Sequence, residues 1–323
     1  MRNSIKVFIF YITLIVCSPV IACAYVFFVI QLITYHRKSG VSSTALAPLS
    51  ARYMQHKMGI RLDEPAVRLM TIIPHISSFR LIMAVMLLAH RLSGYVPGIY
   101  RYPFEGKPSL SHESAARTTF FDTVLKRHLD NIDQLVILGA GWDTRSYRVP
   151  ERIRCFEVDA PKTQEIKRQM LKKVNLDTTR ITFVPTDFTR EDWLENLVNA
   201  GFDLSKPAFF LWEGVTPYLD LEVVESTLRK IAGTASGSVV AFDYFNANLI
   251  ESQSFTLRYT RNVLKAMGEP FRSGIKITTP VSKYMAEYLA SFGLSMEEQH
   301  NVGQETDRKS PIAGFTSAVV PAR

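Results

Sequence analysis

The sequence predicts an α/β protein: a doubly wound, seven-stranded, mostly parallel sheet with helices on both faces, a helical extension before it and an apolar helix at the N-terminus. Three observations predict this. From about Ser114 onward, short apolar runs alternate with amphipathic helical stretches, the pattern of strand–helix units in a parallel sheet. The run Leu135-Val136-Ile137-Leu138 leads directly into Gly139-Ala140-Gly141, a turn suited to the end of a first strand. Val7 through Tyr35 is a charge-free run.

A helix over that run is roughly 44 Å long, more than the roughly 30 Å hydrocarbon core of a bilayer requires. Tyr11, Tyr25 and Tyr35 suit interface anchors, and Pro19 falls where a membrane helix tolerates a kink. Ala22-Cys23-Ala24 looks like a signal-cleavage site, but apolar residues continue to Ile33, which favours a retained segment. Residues 1–38 are therefore expected to be a membrane-anchor helix that passes once through the lipid bilayer, with the catalytic part cytosolic. Arg2 and Lys6 balance Arg37 and Lys38, so the flanking charge does not set the orientation.

Those four bases carry half of the formal net charge of +8, so the basic excess reads as membrane-flanking and no nucleic-acid partner is expected. The cluster Lys162, Lys167, Arg168, Lys172 and Lys173 reads as the solvated face of a helix. The three cysteines show no CxxC or Cys/His spacing, so no metal site is expected.

Residues 39–110 form a connector and a helical cap or lid. Within them, 36–60 reads as a polar connector, 61–116 as mostly helical, and Tyr95–Pro108, rich in Gly and Pro, as a loop. The stretch 61–110 is expected to help cover an acceptor pocket. Residues 111–323 form the ligand-binding domain. Its expected elements are a helix over Ala115–His128 and strands over Gln134–Leu138, Arg154–Val158, Ile181–Pro185, Ala208–Trp212 and Ser238–Tyr244. Helices over Pro161–Val174, Glu191–Ala200 (capped by Thr189), Leu221–Ala232 (ended by Gly233) and Met285–Phe292 lie between and after them. Leu294–Val302 and Ala313–Val320 close the sheet as an antiparallel pair.

The chemistry concentrates at strand ends, where ligands bind in open α/β sheets. Gly139 and Gly141 allow close backbone approach. Glu157 and Asp159, at the end of the second strand, are spaced to point the same way and hold the two hydroxyls of a ribose. The third glycine of a dinucleotide fingerprint would fall at Thr144, so a pyrophosphate cradle is missing its packing glycine. S-adenosyl-L-methionine, which has no phosphate, fits the turn better. Asp187 and Phe188 end the third strand and suit an adenine amino group and ring, although Asp187 also suits a turn cap. Glu213 ends the fourth strand and suits the ligand's amino group or sulfonium.

The strings AARTTFFD (Ala115–Asp122), LGAGWDTRSYR (Leu138–Arg148), FEVDAPKTQEIKR (Phe156–Arg168), VPTDF (Val184–Phe188), WEGVTPYL (Trp212–Leu219) and GEPF (Gly268–Phe271) resemble the leucine carboxyl methyltransferase family over roughly residues 110–320. The resemblance implies a class I methyltransferase sheet with a reversed last strand, S-adenosyl-L-methionine as cofactor, and O-methylation of a carboxylate or hydroxyl on a small molecule or a protein C-terminus. It further implies that Arg117 meets the donor's carboxylate, Gly139 and Gly141 line the donor, Glu157 and Asp159 hold the ribose, Asp187 and Phe188 the adenine, and Glu213 the amino-acid portion. Pro217 stands where members often carry a larger apolar residue.

No catalytic base is assigned. A hydroxyl acceptor needs one, with Glu213, Asp243 and Tyr218 as candidates, and a carboxylate does not. Arg145 or Arg148 is positioned either to orient an acidic acceptor or to make surface ion pairs. Two other readings are a nicotinamide-dependent oxidoreductase, which predicts a glycine at 144, and a non-catalytic membrane-anchored relic of the fold.

Overall fold

The computed structural model describes residues 2–39, 44–109, 112–252, 255–266, 268–306 and 310–322. Among them is a seven-stranded sheet of order β3-β2-β1-β4-β5-β7-β6, with β1 (Gln134–Leu138), β2 (Arg154–Asp159), β3 (Ile181–Pro185), β4 (Ala208–Trp212), β5 (Val239–Phe245), β6 (Ser295–Val302) and β7 (Ala313–Val319). The first five strands are parallel, and β7 runs antiparallel to β5 and β6. The expected doubly wound sheet with a reversed end is what the chain forms. Strand order reverses between β1 and β4, which makes the carboxyl edge there the switch point of the sheet.

The central strands β1 and β4 are buried at every residue, which is why they read as continuous apolar runs without alternation. One face is covered by α8 (Trp193–Asn199), α9 (Leu221–Ala232) and α12 (Val281–Ala290), through Trp193, Leu228 and Met285. The other is covered by α6 (Glu113–His128), through Phe120, Phe121 and Val124.

Local differences from expectation have plain causes. The cap of α8 is Asp192, whose carboxylate accepts from the N–H groups of Leu194 and Glu195, so the helix starts later than a Thr189 cap requires. The connector at 36–60 contains a helix, α3 (Leu46–Lys57), because Leu46, Leu49 and Met54 lie on one buried face. Two helices after β5, α10 (Ala247–Glu251) and α11 (Phe255–Ala266), were not expected.

The N-terminal part comprises α1 (Arg2–Val16), α2 (Ser18–Ser39), α3, α4 (Glu64–Ile72) and α5 (Ser77–Ser93), with α7 (Pro161–Lys173) following β2. Leu49, Met54, Leu69, Met83 and Leu87 pack with Trp142, Met170 and Leu171 in one apolar cluster, so α3–α5 share a core with the turn after β1 and with α7. The window Ser18–Tyr35 is long and apolar enough to cross a membrane, and Ala24 is its one fully buried residue.

Candidate functional site

The carboxyl ends of β1, β2, β4 and β5 open into a cleft of about 600 Å³. Of the residues expected in a site, Arg117, Gly139, Gly141, Asp159, Asp187, Phe188 and Glu213 line it. Pro217 and the candidate bases Asp243 and Tyr218 line it as well. Glu157 does not.

Gly139 and Gly141 adopt φ +68° and +41°, the left-handed region that favours glycine. The N–H of Gly141 donates to Asp159 Oδ2, and that of Ala160 donates to Oδ1 at 2.6 Å. Each oxygen of Asp159 thus retains a lone pair toward the cleft. Burial pushes this carboxyl above its ordinary range, and the two N–H donors oppose the shift.

Glu157 is two residues earlier but still inside the sheet, between Ile137 and Phe183. Its side chain is fully buried, with a carboxylate oxygen 2.7 Å from Lys167 Nζ, and burial raises its pKa against that lysine. Lys167 also donates to the Asp143 carbonyl at 3.0 Å. The shared direction expected of Glu157 and Asp159 therefore does not bring both to the cleft: α7 closes over one and leaves the other at the open edge. Lys167 itself is buried, which corrects its reading as part of a solvated face.

Asp187 makes the expected turn cap and also lines the cleft. Its Oδ1 accepts from Thr189 N at 2.9 Å and Thr189 Oγ1 at 2.6 Å, which hold its pKa down, while the residue lines the cleft beside Phe188.

Glu213 Oε2 lies 2.6 Å from Arg145 Nη1 and 3.2 Å from Arg52 Nη2. Burial raises the Glu213 pKa, but Arg145, Arg52 and Arg117 outweigh it and hold the group ionised. Its other oxygen, Oε1, faces Arg117 Nε at 3.2 Å, and neither atom has a partner in hydrogen-bonding geometry. One acidic and one basic atom, both buried and both short of a partner, suit the ammonium and carboxylate of an amino acid. Arg117 is further neighboured by Glu113 at 3.0 Å and Asp243 at 3.6 Å.

Arg145 and Arg148 do not line the cleft. Arg145 is fully buried among Asp122, Asp143 and Glu213, and Arg148 lies 3.6 Å from Asp63. Both belong to an internal network that ties the N-terminal helices to the sheet. Arg52 on α3 meets Asp143 at 2.8 Å, Arg61 meets Asp122 at 2.6 Å, and Thr144 Oγ1 donates to Asp63 at 2.9 Å. Thr144, at the place of a fingerprint glycine, serves this tie.

Sequence reading missed Arg52, Thr44, Ala45, Ala47 and Pro48, and Glu269 to Arg272, all of which line the cleft. The cover comes from these segments, and no described residue of 61–110 lines the cleft. Nothing in the local pattern of Arg52 separates it from a surface arginine; its partners lie more than 90 residues away. Around the cleft stand seven acids (Glu113, Asp143, Asp159, Asp187, Glu213, Asp243 and Glu269) against Arg52, Arg117 and Arg272. That imbalance favours a cationic ligand and disfavours a pyrophosphate. It also accounts for Asp243: burial, with Glu113 and Glu213 nearby, pushes its pKa to about 6 despite Arg117.

The chain is similar to known proteins over part of its length. Residues 103–232 match the family model described as leucine carboxyl methyltransferase. A relative from Bacillus subtilis (strain 168), named "Putative S-adenosyl-L-methionine-dependent methyltransferase YktD", is 36% identical over 172 residues, covering 51% of this chain and 56% of its own. A second, from Mycolicibacterium smegmatis and named "Putative S-adenosyl-L-methionine-dependent methyltransferase", is 32% identical over 201 residues, 57% of this chain and 61% of its own. The chain thus spans a little over half the length of these curated relatives. A solved duf574 family protein from Streptomyces avermitilis superimposes with a TM-score of 0.48 at 16% identity, covering 84% of this chain and 97% of that one. Over residues 103–232, this chain is thus similar to the leucine carboxyl methyltransferase family.

Proposed function

We propose that the protein is an S-adenosyl-L-methionine-dependent O-methyltransferase that acts on a carboxylate or hydroxyl of a small molecule. The observation that carries this reading is the acidic cleft at the sheet's switch point, with Asp159 on the glycine turn and unmet polar atoms on Glu213 and Arg117. S-adenosyl-L-methionine, when bound, supplies an electrophilic methyl group. Asp159 would hold the ribose hydroxyls, and Asp187 and Phe188 the adenine. Arg117 would take the donor's carboxylate, and Glu213 Oε1 its ammonium.

The remaining work is alignment and exclusion of water. Pro217, Tyr218, Leu264 and Phe271 supply an apolar acceptor side. Tyr218 stays a neutral phenol, since burial pushes its pKa to about 12. A carboxylate acceptor needs no base. For a hydroxyl acceptor, Asp243 is a lining carboxyl whose pKa burial pushes up to about 6, which suits a base. Within the segment 39–110, the stretch around Thr44 to Arg52 acts as the cap, and residues 1–38 attach the protein to a lipid bilayer.

The test is calorimetric titration with S-adenosylhomocysteine, paired with thermal unfolding in NADH. Binding, with a stabilisation of about 2.7 kcal/mol at a hundredfold excess over Kd, supports the reading. Stabilisation by NADH alone would move it to the oxidoreductase class, whose pyrophosphate the cleft's charge opposes.

A further inference from the structure

The apolar N-terminal segment is not a free-standing helix. Val7, Phe10, Leu14, Cys17, Ile21, Ala24, Phe28, Gln31 and Tyr35 are spaced alternately three and four apart, and all nine are buried or half-buried, while most residues between them are exposed. Such spacing makes a seam for one neighbouring helix. That neighbour is α5, running antiparallel: Phe28 stacks on Phe79 at 4.5 Å, Gln31 donates to Ser77 at 3.2 Å, and Phe10 meets Tyr95 edge-on at 5.2 Å. On its other side α5 joins the core through Met83 and Leu87, and Arg80 donates to the carbonyls of Met70 and Thr71. α1 and α2 are therefore clamped along their length to the folded domain.

This register conflicts with a crossing orientation. Arg80 lies beside Phe28, and Arg91 lies level with about residue 14, so both fall within the charge-free run Val7–Tyr35. The two arginines are separated by about 16 Å along the helix axis, roughly half of a hydrocarbon core. Were α1 and α2 perpendicular to the bilayer, these charges and the adjoining domain would sit at hydrocarbon depth, where charge is costly.

The exposed surface offers another solution. Of 19 large hydrophobic side chains exposed among the described residues, 16 lie between Ile5 and Ile99. They include Phe8, Ile12, Ile15, Val26 and Ile30 away from the seam, and Leu81, Leu88 and Leu92 on α5. Residues 1–104 also hold 11 of the 38 bases but only 2 of the 30 acids, leaving the rest of the chain at a net −1.

We infer that α1 and α2, together with α5, lie in the plane of a bilayer surface containing anionic lipid, embedded by their outer apolar face, and do not cross it. This rests on the proposed bilayer attachment and specifies its geometry.

The test uses the full chain, tagged at either end, on sealed vesicles of phosphatidylcholine with or without phosphatidylglycerol. Flotation should be stronger with phosphatidylglycerol, and an external protease should remove both terminal tags. Phe8→Trp, Ile15→Trp and Val26→Trp should all be quenched by lipids brominated near the headgroup and little by lipids brominated near the chain end. Flotation with one tag protected, or Ile15→Trp deepest of the three, overturns the in-plane geometry and leaves attachment standing. No flotation with either vesicle, or a dimer that buries these faces in solution, removes attachment and geometry together.

Discussion

Asp159 and Asp243 are both carboxylates at the cleft, and their surroundings give them different tasks. Asp159 keeps one N–H donor on each oxygen and faces the cleft with its remaining lone pairs. Asp159→Ala should weaken S-adenosylhomocysteine binding about tenfold or more, the scale of one lost charge-assisted hydrogen-bond pair. Calorimetry on the folded variant checks this, and an unchanged Kd would remove Asp159 from the ribose site. Asp243 has a folded pKa raised to about 6 from an ordinary 3.8. The folded state therefore holds a proton that the unfolded chain has released between those values. Its contribution to stability is full below about pH 4 and is lost as pH rises through about 6. The difference in denaturant midpoint between wild type and Asp243→Asn should change across that window and level off above it. A difference that is flat from pH 4 to 7 would contradict the raised value. Arg145 is a third case, buried and spent on three carboxylates. Arg145→Ala should cost about 3–5 kcal/mol in denaturant unfolding, because the partner charges stay buried without it.

At the scale of elements, the turn after β1 leaves no room for a side chain. A Cβ on Gly139 would stand 2.3 Å from Val215 Cγ2, at a φ that L-residues avoid. Gly139→Ala should lower both stability and cofactor affinity, and Gly139→Ala with Val215→Ala should recover less than half of the loss, since the backbone strain remains. Thermal unfolding and calorimetry on the pair check this; full recovery would assign the effect to the clash alone. The pairing of α1 and α2 with α5 is likewise an element-level property. Phe10 is fully buried in it, so Phe10→Ala should loosen the N-terminal helix and raise proteolytic cleavage there, while S-adenosylhomocysteine binding at the distant cleft holds.

Across the whole molecule, legibility in the sequence follows how local the determining physics is. The bounds of β1, β3, β4 and α9 agree with the sequence expectation to the residue because their signals are local: apolar runs closed by glycine, proline or a cap. The cleft residues on strand ends were legible for the same reason, since a parallel sheet brings its carboxyl ends together whatever else the chain does. Separating Glu157 from Asp159 required knowing where α7 lies. Finding Arg52 required the approach of α3 to β1 and β4, a contact with no local trace. The seam of α1 and α2 is present as a three–four spacing, yet a uniformly apolar segment hides it until α5 provides the partner.

What the sequence determined alone was the alternation of strand and helix, the glycine turn, the acids at the strand ends and an apolar N-terminus, each written in residue type and short-range spacing. Which acids reach the cleft, which arginines are consumed inside the protein, and which face of the N-terminal helix remains free were decided by tertiary structure. Burial and ion pairing at those positions depend on groups tens to hundreds of residues away, and no local pattern encodes them.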